Sequence, residues 1–115
     1  MEGCIFCKIS SKEVKSEIIY EDEDFLVFKD IKPQAPVHLL LIPKIHIDNI
    51  NSIMSLDSIK NFNKIFYIIK EVTEKLGVDK DGYRLVVNNG KNAGQEVNHL
   101  HFHILAGRAF GWPPG

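Results

Sequence analysis

His99-Leu100-His101-Phe102-His103-Ile104-Leu105 is the stretch that decides how this chain folds and where its chemistry lies. Side chains in a β-strand alternate between faces, so the pattern predicts a strand over 99–105 with all three imidazoles on one side, about 6.5–7 Å apart. Leu100, Phe102 and Ile104 then fill the opposite, buried side. Imidazole changes charge near neutral pH and can serve as nucleophile, proton carrier or metal ligand. A single histidine on a strand is usually a hydrogen-bonded structural residue, and two at i and i+2 often clamp a metal. Three in alternation, bracketed by apolar residues, point to chemistry, with catalysis and metal binding both open.

Upstream of the histidines runs a Gly- and Asn-rich loop, Asn89-Gly90-Lys91-Asn92-Ala93-Gly94, preceded by a strand over 83–88. Leu56, Ile59, Phe62, Phe66, Ile69, Val72 and Leu76 recur at steps of three or four. That spacing predicts one long helix from about Leu56 to Leu76, capped by Ser55 or Asp57 and stopped by Gly77. Nearer the start, Ile18–Tyr20 and Phe25–Phe28 flank the acidic turn 21–24 and read as a hairpin, and His38–Ile42 is a third strand stopped by Pro43. Residues 4–9 form at most a turn or two of helix. Five strands around one long helix, with connections that suit antiparallel pairing, make an α+β chain.

At 115 residues the chain fits a single domain, 1–115. Its 14 Lys and Arg against 15 Asp and Glu give a net charge of −1, and no basic cluster speaks for polymeric nucleic acid. A small phosphorylated ligand remains compatible. No apolar run approaches the ~20 residues of a membrane helix. The first residues lack the apolar centre of a secretory signal, and Glu2 excludes a myristoylation start. The expected location is the cytoplasm, where Cys4 and Cys7 stay reduced.

Other residues add candidate chemistry. Gly90 and Gly94 let backbone approach a ligand, and amides in such a turn can cradle an anion against an imidazole. Cys4-x-x-Cys7 reads either as a redox dithiol or as half of a zinc site, although a thioredoxin-like context is missing and a tetrahedral site would need histidines as its other ligands. Asp30, closing the second strand, can accept hydrogen bonds from two ribose hydroxyls or simply cap a turn.

Taken together these residues resemble the histidine-triad (HIT) superfamily of nucleotide hydrolases and transferases, whose signature His-φ-His-φ-His-φ-φ matches residues 99–105. Supporting stretches are Ile5-Phe6-Cys7-Lys8-Ile9, Asp30-Ile31-Lys32-Pro33-Gln34-Ala35-Pro36, His38 to Lys44, Val86-Val87-Asn88 and Gly94-Gln95. The ending Gly107-Arg108 with Trp112-Pro113-Pro114-Gly115 is similar to the Hint branch, the histidine-triad nucleotide-binding phosphoramidases. The resemblance runs from Cys4 to the last residue. It implies a five-stranded antiparallel sheet with one long and one short helix, pairing into a continuous sheet in a homodimer. It implies binding of purine nucleoside monophosphates and hydrolysis of the P–N bond of nucleoside 5′-phosphoramidates, with no organic cofactor.

Carried onto this chain, the resemblance makes His101 the nucleophile that forms a nucleotidyl-histidine intermediate. His103 would contact the phosphate or leaving group and help deliver a proton to the departing amine, and His38 would complete the phosphate-side cluster. Asn88 and the backbone of Gly94, Gln95 and Glu96 would hold the non-bridging oxygens. Asp30 would clasp the ribose, and Ile5, Phe6, Ile9, Phe28, Ile31 and Leu40 would line the base pocket. Trp112 would reach the partner subunit's site. Cys4, Cys7, His46 and His99 match the ligands of a structural zinc. One residue departs from the pattern: Glu96 stands where Ser or Thr is usual, which brings the leaving group into question and suggests a cationic amine. The alternatives are a dinucleoside polyphosphate hydrolase, against which the Trp-Pro-Pro-Gly ending argues, and a nucleotide-binding regulatory dimer with incidental catalysis. A zinc hydrolase using the three histidines as ligands would leave the cysteines and the glycine loop unexplained.

Overall fold

The computed structural model describes residues 2–115. A short helix α1 (Ile5–Ser10) leads into the hairpin β1 (Ile18–Glu21) and β2 (Phe25–Lys29), then β3 (Val37–Pro43), helix α2 (Ile65–Lys75), β4 (Tyr83–Val86) and β5 (Phe102–Ala106). The strands form one antiparallel sheet in the order β1-β2-β3-β5-β4. The α+β architecture read from the sequence is therefore the one observed.

β2 and β3 lie inside the sheet and are buried on both faces, so their sequences are nearly continuous apolar runs. Phe25, Val27, Leu39 and Leu41 point into one core, where Ile65, Ile68, Ile69 and Val72 of α2 pack on them with Leu100 and Ile104. Leu26, Phe28, Leu40 and Ile42 point to the other face, which α1 covers with Phe6 and Ile9. Each fully buried Leu, Ile or Phe contributes about 1.5–3 kcal/mol relative to exposure. Leu40 pairs with His103 across the β3–β5 ladder, so the pair shares the α1 face. The alternation thus divides the sheet between a purely apolar core and a face that carries histidines.

Two expectations are corrected. The long helix does not start at Leu56: residues Leu56–Ser58 and Phe62–Lys64 are single 3₁₀ turns, and α2 spans only Ile65–Lys75. Asn61 breaks the periodic run by adopting φ 59°, a left-handed conformation, while its side-chain amide donates to Asp24 Oδ2 at 2.7 Å. Ser55 makes no side-chain cap bond. Leu56 and Phe66 of the expected stripe are exposed, and the buried stripe is Ile65, Ile68, Ile69 and Val72. Gly77, at φ 71°, does end the helix region as expected. The histidine strand also starts later than expected, at Phe102, leaving His99 to His101 as an irregular lead-in. Leu100 N donates to Ile47 O at 2.6 Å there, so the loop after β3 takes the place of a strand partner.

Candidate active site and metal cluster

His101 is buried on the α1 face, with Phe6 edge-on at 5.1 Å and His103 at 5.0 Å between ring centroids. Its Nδ1 lies 2.7 Å from the carbonyl oxygen of His99. A carbonyl only accepts, so Nδ1 carries the proton and Nε2 keeps its lone pair. A neutral ring held in this way offers a nucleophilic nitrogen without further activation.

The adjacent pair has its protons fixed by the same logic. Gln34 N donates to His38 Nδ1 at 3.0 Å, so His38 must carry its proton on Nε2. His38 Nε2 lies 2.8 Å from His103 Nδ1 and 3.4 Å from Asp30 Oδ2, both acceptors. His103 then bears its own proton on Nε2. The reverse arrangement would strip His38 of both protons. Burial holds the pKa of His103 down to about 4, helped by the charges of His101 and His38 and opposed by Asp30. Burial likewise lowers the pKa of His38, with Asp30 opposing. Both rings are neutral at pH 7.

His101, His103 and Asp30 border a cavity of about 610 Å³ that Asn88, Gly94, Glu96, Phe28, Lys29 and Ile31 also line. His38, the expected member of the phosphate-side cluster, contacts His103 and Asp30 without lining the cavity itself. Ile5, Phe6, Ile9 and Leu40 form its apolar wall. Asp30 Oδ1 accepts from Lys32 N at 2.8 Å, which sets the carboxylate at the cavity edge. Ile31 is 88% exposed and sits on the rim. Val14, Lys15, Ser16 and Val97 also line the cavity and had no sequence signal of their own.

The glycine loop divides its labour. Gly90 and Gly94 adopt φ 86° and 79°, and the amides of Gly94 and Gln95 donate back to Lys91 O and Gly90 O. The Gln95 side chain binds Gly90 N, Asp48 O and Val97 O, stapling the loop to its neighbours. These two amides are therefore occupied within the loop, while Glu96 N makes no hydrogen bond among the described residues. Trp112 is exposed and stands outside the cavity lining.

Behind the triad, Cys4, Cys7, His46 and His99 bring two thiols and two imidazole nitrogens within 4.8 Å of one another. His99 Nδ1 lies 3.3 and 3.5 Å from the two sulfurs, and His46 Nδ1 lies 3.3 Å from Cys7 Sγ. Tetrahedral zinc with ordinary bond lengths sets such sulfur–nitrogen edges at about 3.6 Å. The outer nitrogens complete the fit. His99 Nε2–H donates to Pro43 O and His46 Nε2–H to Asp48 Oδ1, both at 2.8 Å, so each Nδ1 presents a lone pair inward. Burial keeps His99 neutral, with a pKa lowered to about 4. Burial and the neighbouring Cys4 raise the pKa of Cys7, which a bound cation would reverse. The four residues can hold a metal with no open position left for a substrate.

The sequence profile of the HIT domain matches residues 11–110. A 14 kDa zinc-binding protein of Zea mays is 43% identical over 113 residues, covering 96% of this chain and 87% of the relative. A HIT family hydrolase from Legionella pneumophila superposes with a TM-score of 0.92 at 44% identity, over 98% of this chain and all of that one. A histidine triad nucleotide-binding protein from Candida albicans matches with a TM-score of 0.82 at 35% identity, over 96% of this chain and 83% of that one. With the profile spanning most of its length and relatives this close, the chain belongs to the HIT family.

Proposed function

We propose that this protein is a purine nucleoside phosphoramidase of the Hint type, working through a nucleotidyl-histidine intermediate. The carrying observation is the His101 ring, whose Nδ1–H is bound to the His99 carbonyl and whose unprotonated Nε2 is left for the cavity. The apolar wall of Phe6, Ile9, Phe28 and Leu40 suits a purine, and Asp30 at the edge suits the ribose hydroxyls. His101 Nε2 attacks the α-phosphorus as the P–N bond breaks, and the amine leaves with one proton drawn from solvent. The ring then carries phosphorus on Nε2 and hydrogen on Nδ1, and the His99 carbonyl stabilises its positive charge. His103 Nε2–H, Asn88 and the Glu96 amide donate to the phosphoryl oxygens as charge builds on them. Water displaces His101, releasing nucleoside monophosphate and one proton, so the proton taken up in the first step is returned in the second.

Zinc held by Cys4, Cys7, His46 and His99 is structural in this reading, fixing α1 and His99 behind the nucleophile. The exposed Trp112 belongs, in the same reading, to a homodimer in which it approaches the partner's cavity. Glu96 lies beside the reacting end without an ion partner among the described residues and favours a cationic leaving amine.

The test is hydrolysis of adenosine 5′-phosphoramidate by wild type and His101→Ala, with acid-labile, base-stable nucleotidyl-protein trapped on the wild type. Turnover and label confined to wild type support the assignment. Nucleotide binding without turnover by folded wild type would overturn it in favour of a regulatory dimer.

A further inference from the structure

His38 and His103 are neutral rings, and a neutral ring can hold its proton on either nitrogen. Two groups select the nitrogen on His38: the Asp30 carboxylate, 3.4 Å from Nε2, and the Gln34 N–H at Nδ1, which is held in turn from outside the cavity. The chain of contacts starts at Arg108, whose Nε and Nη2 donate to Gln34 O at 3.2 and 3.1 Å. Gln34 N donates to His38 Nδ1 at 3.0 Å, and His38 Nε2–H donates to His103 Nδ1 at 2.8 Å. Gln34 sits in an exposed loop between Pro33 and Pro36, where no strand ladder holds its peptide. The two guanidinium contacts fix the Gln34 carbonyl, and the Gln34 side chain donates to Lys32 O at 3.1 Å, so together they hold the residue whose N–H faces His38. Gly107 seats beside Pro36 of the same loop, where a Cβ would come within 2.8 Å of Pro36 Cβ. Arg108 is itself set by the Phe110 ring, 4.3 Å below its guanidinium carbon.

We infer that Arg108 is a positioning residue: by pinning Gln34 it fixes the tautomer of His38 and, through it, keeps His103 as a standing Nε2–H donor toward the phosphoryl group. The role of His103 toward phosphate rests on the proposed reaction, whereas the tautomer relay does not. The lock has a chemical consequence. As long as Gln34 N–H occupies His38 Nδ1, the link between the rings holds a single proton and His103 Nδ1 stays unprotonated. His103 is then a fixed hydrogen-bond donor to developing charge, and the proton for the leaving amine comes from solvent. Without Arg108 the Gln34 carbonyl is released and residue 34 is held only by its side-chain bond to Lys32 O, so the N–H on its other peptide plane can leave His38 Nδ1. His38 can then take the Nδ1–H form, and the relay runs backwards: His103 donates from Nδ1 and presents a lone pair to an anionic phosphate.

The experiment reads tautomers directly, by ¹⁵N–¹H long-range correlation of the histidine rings at pH 7.5 in wild type, Arg108→Ala, Arg108→Lys and Phe110→Ala. Wild type should show His38 and His103 each with Nε2 of the N–H type and Nδ1 of the unprotonated type. In Arg108→Ala the two nitrogens of both rings should move toward one another. Turnover should fall about tenfold with KM within about twofold, part of the 10²–10³ that loss of a whole transition-state donor costs. Arg108→Lys, a single-point donor, should fall between, and guanidinium ion should restore Arg108→Ala in part. Phe110→Ala removes the ring that sets the guanidinium, so its tautomers should shift in the same direction as in Arg108→Ala, but less. Unchanged tautomers in a folded Arg108→Ala would overturn the inference, even if turnover fell. Tautomers that shift as expected in a protein without phosphoramidase turnover would uphold the relay and refute the reaction instead.

Discussion

Removing the metal should undock the first helix and leave the sheet standing. α1 has six residues, too few to persist by itself in water. Burial of Phe6 and Ile9 contributes about 3–6 kcal/mol. Besides the bonds inside the helix, four backbone hydrogen bonds tie the segment together (Lys8 to Cys4, Ser11 to Cys7, Lys12 to Ile9, Val14 to Lys8) and add roughly 2–6 kcal/mol. Against them, ordering the backbone of the seven residues Cys4–Ser10 costs about 7–14 kcal/mol. The opposing contributions agree to within a few kcal/mol, so the segment by itself has little margin. Structural zinc binding, apparently worth about 10–16 kcal/mol in small sites, is ample to tip it. Hydrogen exchange with and without a strong chelator, and on Cys7→Ser, is the assay. Amides of residues 6–11 should lose protection while those of β2, β3 and β5 keep theirs. Because Phe6 and Ile9 also wall the cavity, nucleoside monophosphate affinity should drop by about tenfold or more, one side chain's burial being worth that much. Full protection of residues 6–11 in the metal-free protein would refute the reasoning.

Other residues give sharper local expectations. Asp22 in the β1–β2 turn pays desolvation but is bound by Tyr20, the amides of Asp24 and Phe25, and Lys64, which together lower its pKa from 3.8 to about 2. A depressed carboxylate stabilises the fold above its unfolded pKa, so about 2 kcal/mol should be lost as pH falls from about 4 through 2, and Asp22→Asn should abolish that slope in urea titrations. Gly107 at φ 92° faces Pro36, so Gly107→Ala should lower stability by about 1–2 kcal/mol or more, read as a shift of the urea midpoint. Glu96→Gln should reduce kcat/KM for phosphoramidates of amines bearing a second, cationic group by several-fold and leave neutral amines nearly unaffected. Equal effects on both substrates would exclude a charge-based role for Glu96.

How much was legible depended on whether the information was local. Short apolar runs bounded by turn residues placed β2 and β3, and period-two alternation assigned the faces of the histidine stretch, because burial on a pleated sheet leaves little choice. Period-three and -four spacing misled over residues 56–64, where a single left-handed asparagine, bonded to a distant aspartate, overrides it. The first three residues of the histidine stretch, 99–101, lack the strand pairing that residues 102–105 have, since the partner of Leu100 is a loop carbonyl that no pattern announces. Side chains that meet at the site were found by residue type. The groups that set their protons, the Pro43 and His99 carbonyls and the Gln34 amide, are main-chain atoms without a sequence signature. Arg108 belongs to the Gly107-Arg108 ending, but its contact with the Gln34 carbonyl has no sequence signature.

His99 serves two masters with different parts of itself: its ring faces the cysteines, and its carbonyl holds the His101 ring. The carbonyl is common to all twenty amino acids. A lineage could therefore exchange residue 99 and shed the metal while the His101 ring kept its anchor, provided some other tie held the amino-terminal segment against the sheet. Chemistry and scaffold are thus separately inherited at one position, and the presence of metal in a relative need not track its catalytic competence.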